Sequence, residues 1–364
     1  MRIAQIAPLV ESVPPRLYGG IERVVAFLTD ELVKQGHEVT LFASGDSITS
    51  ASLVPCTAQA LRLSAVRDHI PYYMVMLKDV RQMASQFDVL HFHIDTLHFP
   101  VFAGPFAKRT LTTLHNRQDG RDLDVLYSGF PDLALVSISD AQRAPVADAN
   151  FAGTVYHGLP LDLFPMTVRP SGGYLAFLGR ISPEKRVDRA IAITRRAGLR
   201  IKIAAKIDPA DDAYFRSEIE PLLRQPGVEF VGEINERQKA AFLGNALGLL
   251  FPIDWPEPFG LAMIEAMACG TPVLAFNEGS VPEIVDNGVT GFIVRDVDEA
   301  VSRIGSLVAL DRKKVRRRFE QRFTVSHMAG NYVHIYEQLL ARSQDPSRSA
   351  RYASTAPKTS PTPR

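Results

Sequence analysis

Short β-rich runs alternate with helix-patterned stretches along almost the whole chain, and this alternation restricts the fold more than any other feature. Such a chain builds a parallel sheet with helices on both faces. Candidate strands in the first half are 3–7, 38–43, 88–93, 110–115, 133–138 and 154–157, and helical apolar spacing over 21–35 stops at Gly36. A second series runs through 174–178, 200–204, 228–231, 247–251, 272–276 and 291–294. A length of 364 residues suits two domains, and no repeat of 20–50 residues is present. The spacing predicts a Rossmann-like N-terminal domain over 1–165, a linker over 166–173 and a second Rossmann-like domain over 174–325. A C-terminal helix over 326–342 should pack back toward the first domain. The tail 343–364, rich in Ser, Pro, Thr and Arg, reads as disordered. Open parallel sheets bind ligands at the carboxyl ends of their strands, so two facing domains enclose a cleft.

Composition excludes several classes. Forty-six per cent hydrophobic and 22% charged residues describe a soluble globular chain, and a net charge of +1 makes no case for a nucleic-acid partner. Two cysteines, Cys56 and Cys269, argue against a disulfide framework and suit a reducing compartment. No apolar run reaches the roughly 20 residues of a membrane span. Met1 and Arg2 lead straight into a strand without a signal-peptide pattern. The expected location is cytoplasmic.

The most informative segment is 256–270, Pro-Glu-Pro-Phe-Gly-Leu-Ala-Met-Ile-Glu-Ala-Met-Ala-Cys-Gly. Pro258 keeps a helix from starting before about Gly260, and Gly270 suits its end. Glu257 is left before the helix and Glu265 inside it. Between them the N–H groups of Phe259, Gly260 and Leu261 form an anion site with a carboxylate on either side. A nucleotide-sugar has a matching layout, with phosphate in the middle and a polyol at each end. Glu265 sits in so apolar a run that it calls for a partner.

Gly179-Arg180-x4-Lys185 follows the first strand of the second domain, where a planar guanidinium and an ammonium can neutralise a diphosphate without a metal. Tyr18-Gly19-Gly20-Ile21-Glu22 follows the first strand of the chain and opens a helix, so that backbone can approach an anion closely. His91 and His93 share a strand face, with His98 and His115 nearby. No HExxH spacing and no cysteine ligands accompany them, so His91 reads as a packed core residue and no metal ligand is assigned.

Glu257-x7-Glu265, then Ala266-Met267-Ala268-x-Gly270-Thr271-Pro272-Val273, Gly279-x-x-Pro282-Glu283 and Gly288-x-Thr290-Gly291-Phe292, together resemble the retaining family-4 glycosyltransferases of the GT-B fold. The resemblance covers most of 1–340 and is strongest over 251–294. It implies two Rossmann-like domains across a cleft, with the first on the acceptor side and the second holding the nucleotide-sugar. Glu265 would hold ribose hydroxyls. Glu257 with the N–H groups of Phe259, Gly260 and Leu261 would hold sugar and phosphate, and Arg180 and Lys185 would take the charge of the leaving diphosphate. The Gly19-Gly20 loop would lie over the phosphate. His115 would meet the sugar as a hydrogen-bond donor, and the backbone of Gly232-Glu233-Ile234 would pair the nucleobase edge.

Two departures stand out: Arg186 replaces a more usual glycine, as an extra cation near phosphate, and His157 stands where relatives usually carry Asn. The basic run 312–318, six cations in seven residues, reads as a solvated helix face, with peripheral attachment to the inner membrane face as the alternative.

The reading is transfer of a hexose from a nucleoside diphosphate sugar, a UDP-sugar first and GDP-mannose next, to an unknown hydroxyl acceptor such as a glycan, glycolipid or small molecule. Transfer would be retaining, by front-face substitution, with no cofactor and no essential metal. A sugar phosphorylase, a nucleotide-sugar epimerase and a non-catalytic nucleotide-sugar sensor are the alternatives.

Overall fold

The structure is a computed structural model that describes residues 1–344 except Tyr18 and Ala65. Two parallel sheets carry it. The first contains β1 (Arg2–Ile6), β2 (Glu38–Ser44), β3 (Ser52–Thr57), β4 (Val89–Phe92), β5 (Thr110–Thr113), β6 (Ala134–Ser137) and β7 (Phe151–Thr154), in the order β3-β2-β1-β4-β5-β6-β7. The second contains β8 (Tyr174–Ile181), β9 (Arg200–Ile207), β10 (Val228–Gly232), β11 (Gly248–Phe251), β12 (Val273–Phe276) and β13 (Gly291–Val294), in the order β10-β9-β8-β11-β12-β13. The strand order reverses between β1 and β4 and again between β8 and β11. These are the switch points where an open parallel sheet leaves a crevice.

The central strands β4, β5, β6, β11 and β12 are buried along their whole length, as expected of strands covered on both faces. β8 and β9 each run three residues past their expected ends, so Gly179 and Arg180 lie in the last residues of β8 and not after it as expected. The missed strand and the displaced one are both at an edge. β3 was not expected, because its Ser-Leu-Val-Pro-Cys-Thr sequence contains Pro55, which a sheet tolerates at an edge. β7 lies three residues before the expected 154–157. Val155 still donates to Ser137 O at 2.8 Å, but Tyr156 and His157 leave the sheet for the space between the domains.

The helix Val325–Gln344 crosses back and packs on the first sheet. Its Tyr332 and Tyr336 are fully buried, bonded to Thr113 Oγ1 at 2.9 Å and His91 Nδ1 at 2.8 Å. The helix takes in 343 and 344, which composition had assigned to the tail; the expectation for 345–364 lies outside the described residues.

The basic run forms much of the helix Arg312–Arg322, and it is not the wholly solvated face expected. Arg312 is buried and donates to the carbonyls of Thr167, Ala246 and Gly244 and to Thr271 Oγ1, at 2.6 to 2.9 Å. Arg316 donates to the carbonyls of Phe164, Ala268 and Leu161. Arg318 pairs with Asp286. Arg312 and Arg316 staple the chain around 161–167 to the second domain, and with Arg318 held by Asp286 only Lys313, Lys314 and Arg317 of the run are left exposed.

Candidate active site

A cleft of about 640 Å³ lies at the carboxyl ends of the central strands, lined by both halves of the chain. His115, Arg180, Lys185, Glu257, Gly19, Gly20, Ile234, Phe259, Gly260, Leu261 and Glu265 all line it. Gly232 does not. It ends β10, and the next residues, Glu233 and Ile234, reach the cleft instead.

The helix Leu261–Ala268 starts just after Gly260, as Pro258 had required, and both Gly260 and Gly270 are left-handed, with φ +82° and +75°. Among the described residues nothing accepts a hydrogen bond from the N–H of Phe259, Gly260 or Leu261. The carbonyls of the same loop are held instead: Ser139 Oγ donates to Pro258 O at 2.6 Å and Ser280 Oγ to Phe259 O at 2.9 Å.

Glu265 is 2% exposed, and its partner is Lys239, whose Nζ lies 2.8 Å from Oε1. Lys239 also meets Glu236 at 3.0 Å, and Glu236 pairs with Arg23 of the first domain. This chain of charges was not expected. Asn235 and Gln238 form a capping box that fixes the start of the Lys239 helix and is legible in sequence, but nothing local says that Lys239 reaches Glu265.

Glu257 accepts from Trp255 Nε1 at 2.8 Å and pairs with Lys185. The Lys185 ammonium lies 4.7 Å from the centroid of the Trp255 ring, and the guanidinium carbon of Arg117, from the first domain, lies 5.3 Å from it. Arg180 pairs with Glu184 at 2.6 Å and Asp211 at 3.4 Å. Both expected phosphate cations therefore face carboxylates, and a diphosphate would have to take over those contacts. Arg186, expected as an extra cation near phosphate, does not line the cleft. It adopts φ +54°, which explains a glycine at this position, and turns its guanidinium to Asp188 and Asp254 at 2.8 and 2.7 Å.

His115 belongs to a buried histidine cluster. Burial pushes its pKa down to about 3, and holds His91, His93 and His157 well below the usual range. His91 is packed between Tyr336 and Thr113, as expected of a core residue. Gln5 Oε1 can only accept, so His93 Nε2 donates to it at 2.7 Å, and a neutral His93 must then accept at Nδ1. His115 Nε2 is the donor of that bond, at 2.9 Å. This leaves His115 Nδ1 as an acceptor, the reverse of the donor role expected from sequence. His157 stacks on His115 with centroids 5.5 Å apart and meets Phe259 edge-on at 4.8 Å. It links the first-domain histidines to the Pro258–Leu261 loop.

In the Gly19-Gly20 turn, Gly19 is the constrained position. A Cβ there would sit 2.8 Å from Pro15 Cβ, whereas a Cβ on Gly20 would meet Leu261 Cδ1 at an ordinary 3.5 Å. The Tyr18 part of that motif lies outside the described residues.

Two facing Rossmann-like sheets with a cleft at their strand ends define the GT-B class of glycosyltransferase folds. The fold is similar to sucrose-phosphate synthase from Thermosynechococcus elongatus (TM-score 0.76, 20% identity, 94% of this chain and 99% of the other). It is also similar to Anabaena HepE in complex with UDP-glucose (TM-score 0.70, 17% identity, 94% and 100%). Residues 18–202 match Glycosyltransferase Family 4 and residues 167–323 match Glycosyl transferases group 1. The chain belongs to the family-4 glycosyltransferases. A D-inositol 3-phosphate glycosyltransferase of Mycobacterium marinum is 30% identical over 209 residues, which span 55% of this chain but only 40% of that protein.

Proposed function

We propose that the chain is a retaining hexosyltransferase that takes its sugar from a nucleoside diphosphate donor held mainly by the second domain. The observation that carries this reading is the meeting, at the β8/β11 switch point, of the Phe259–Leu261 N–H groups with Glu257, Glu265, Arg180 and Lys185. The N–H groups and the two cations suit a diphosphate. Glu265 would exchange part of its Lys239 contact for ribose hydroxyls, and Glu257 would hold sugar hydroxyls. Backbone near Glu233 and Ile234 would meet the base. A UDP-sugar is favoured, since HepE, of the same fold, is a complex with UDP-glucose.

The first domain would bring the acceptor hydroxyl to the sugar. The bond from the anomeric carbon to the phosphate oxygen breaks as the bond to the acceptor oxygen forms on the same face, and the acceptor proton passes to a phosphate oxygen. Arg180 and Lys185 stabilise the charge that develops on the diphosphate, so this reading needs no divalent metal. His115 Nδ1 would accept a hydrogen bond from a sugar hydroxyl.

A thermal-shift screen with UDP-, GDP- and ADP-hexoses, followed by transfer assays with and without a chelator, tests the proposal. At 100 times its dissociation constant the right donor stabilises the chain by about 2.7 kcal/mol. Metal-independent transfer with retention of the donor's anomeric configuration is expected. Inversion, or loss of activity that magnesium restores, contradicts the proposal. Dependence on inorganic phosphate would mark a phosphorylase, turnover without acceptor an epimerase, and tight donor binding without turnover a sensor.

A further inference from the structure

The segment Gly279-Ser280-Val281-Pro282-Glu283 lies behind the Glu257–Leu261 loop and touches it repeatedly. Gly279 has φ +53°, and a Cβ there would fall 2.4 Å from both the N and the O of Glu257. Ser280 donates through N to Glu257 O at 3.0 Å and through Oγ to Phe259 O at 2.9 Å. Ser280 is fully buried, so neither bond is open to water.

The other end of the segment crosses to the first domain. The backbone N–H of Asp140 donates to Glu283 Oε2 at 2.8 Å and that of Ala141 to Oε1 at 2.7 Å. Tyr156 OH adds a third bond, to Oε2 at 3.0 Å. The same first-domain turn returns the contact through Ser139 Oγ, which donates to Pro258 O in the middle of the loop. A closed circuit results, running from loop to Ser280, Glu283, the 139–141 turn and back to the loop.

We propose that Glu283 is a positioning residue that transmits the placement of the first domain to the Glu257–Leu261 loop. Its carboxylate is the one link of the circuit that crosses between domains by charge-assisted bonds, which are shorter and stronger than neutral ones. Movement of the 139–141 turn therefore moves Glu283 and Pro258 together, and the Phe259–Leu261 N–H groups with them. The role in turnover rests on the donor-site reading above, but the mechanical link does not.

The test uses the full chain and Glu283→Gln, which keeps one acceptor oxygen, with Tyr156→Phe and Ser139→Ala as milder variants. Hydrogen exchange is read at the hydrogen-bonded amides that hold the loop, Glu257 N–H to Trp255 O and Ser280 N–H to Glu257 O, against those of β11 and β12 as the internal reference. Trp255, the only tryptophan of the chain, reports by acrylamide quenching from two residues away. In Glu283→Gln the loop amides should exchange about tenfold faster or more, the size expected from losing a hydrogen bond to a charged group, while β11 and β12 stay unchanged. Trp255 should quench more readily, and Ser139→Ala should reproduce part of both effects. If the loop amides stay at the parental rate, or speed up only in step with β11 and β12, Glu283 is a general stabiliser and the proposal is overturned. A parent that binds no nucleoside diphosphate would remove the donor reading while leaving this readout intact.

Discussion

Gly19 has φ 163°, ordinary extended backbone, so what restricts it is space beside Pro15. Gly19→Ala should push the loop off Pro15 and cut transfer severely, whereas Gly20→Ala should stay within about 0.5 kcal/mol of the parent, the usual range for a change without a steric cause. Thermal denaturation beside a transfer assay separates the two. The histidines make a second prediction. His91, His93, His98, His115 and His157 all have folded pKa values below the ordinary 6.5, because burial opposes their charged form. As pH falls below 6.5, the unfolded chain binds protons that the folded chain refuses, down to about 3 for His115. Stability is therefore full above pH 6.5 and falls below it, by up to about 1.4 kcal/mol per pH unit for each histidine. The urea midpoint should be lower at pH 5.5 than at pH 7.5, and an unchanged midpoint would mean the cluster is wet. The residue types at the site were legible in sequence, but their partners were not. Lys239 is 26 positions from Glu265 and His93 is 22 from His115, distances at which local pattern says nothing about contact.

At the scale of elements, the helix Arg312–Arg322 shows how a charge run can mislead. Its spacing looks like a solvated face, yet Arg312 is enclosed by carbonyls from two separate segments, at 167 and 244–246. A buried guanidinium is tolerated when its donors are satisfied, and removing it strands the acceptors. Arg312→Met should cost about 2–4 kcal/mol in urea denaturation, while Lys314→Ala, at an exposed neighbour, should cost less than about 0.5 kcal/mol. Equal costs would contradict the staple. Central strands such as β11 and β12 were legible because burial on both faces gives short apolar runs. The edge strands β3 and β7 were not, since an edge accepts Pro55 and half-buried residues that break the pattern.

For the whole molecule, the alternation of strand and helix implied two parallel sheets, and the switch points then place the cleft. What the sequence did not disclose is how the halves grip each other. Arg23 with Glu236, Arg117 with Trp255, and Glu283 with the 139–141 turn each join residues more than 100 positions apart. These contacts meet the Glu257 and Glu265 sides of the cleft, so donor binding and domain placement should be coupled. Domain closures of this kind commonly take microseconds to milliseconds. The most direct measurement is calorimetric titration of the parent and Glu265→Ala with the nucleoside diphosphate whose sugar stabilises the chain best, once circular dichroism shows that the variant is folded. Glu265 as the ribose carboxylate predicts binding weaker by about 1.5–3 kcal/mol, a loss of roughly 10- to 100-fold in affinity. Equal affinity in the two proteins would contradict the assignment of this cleft as the donor site.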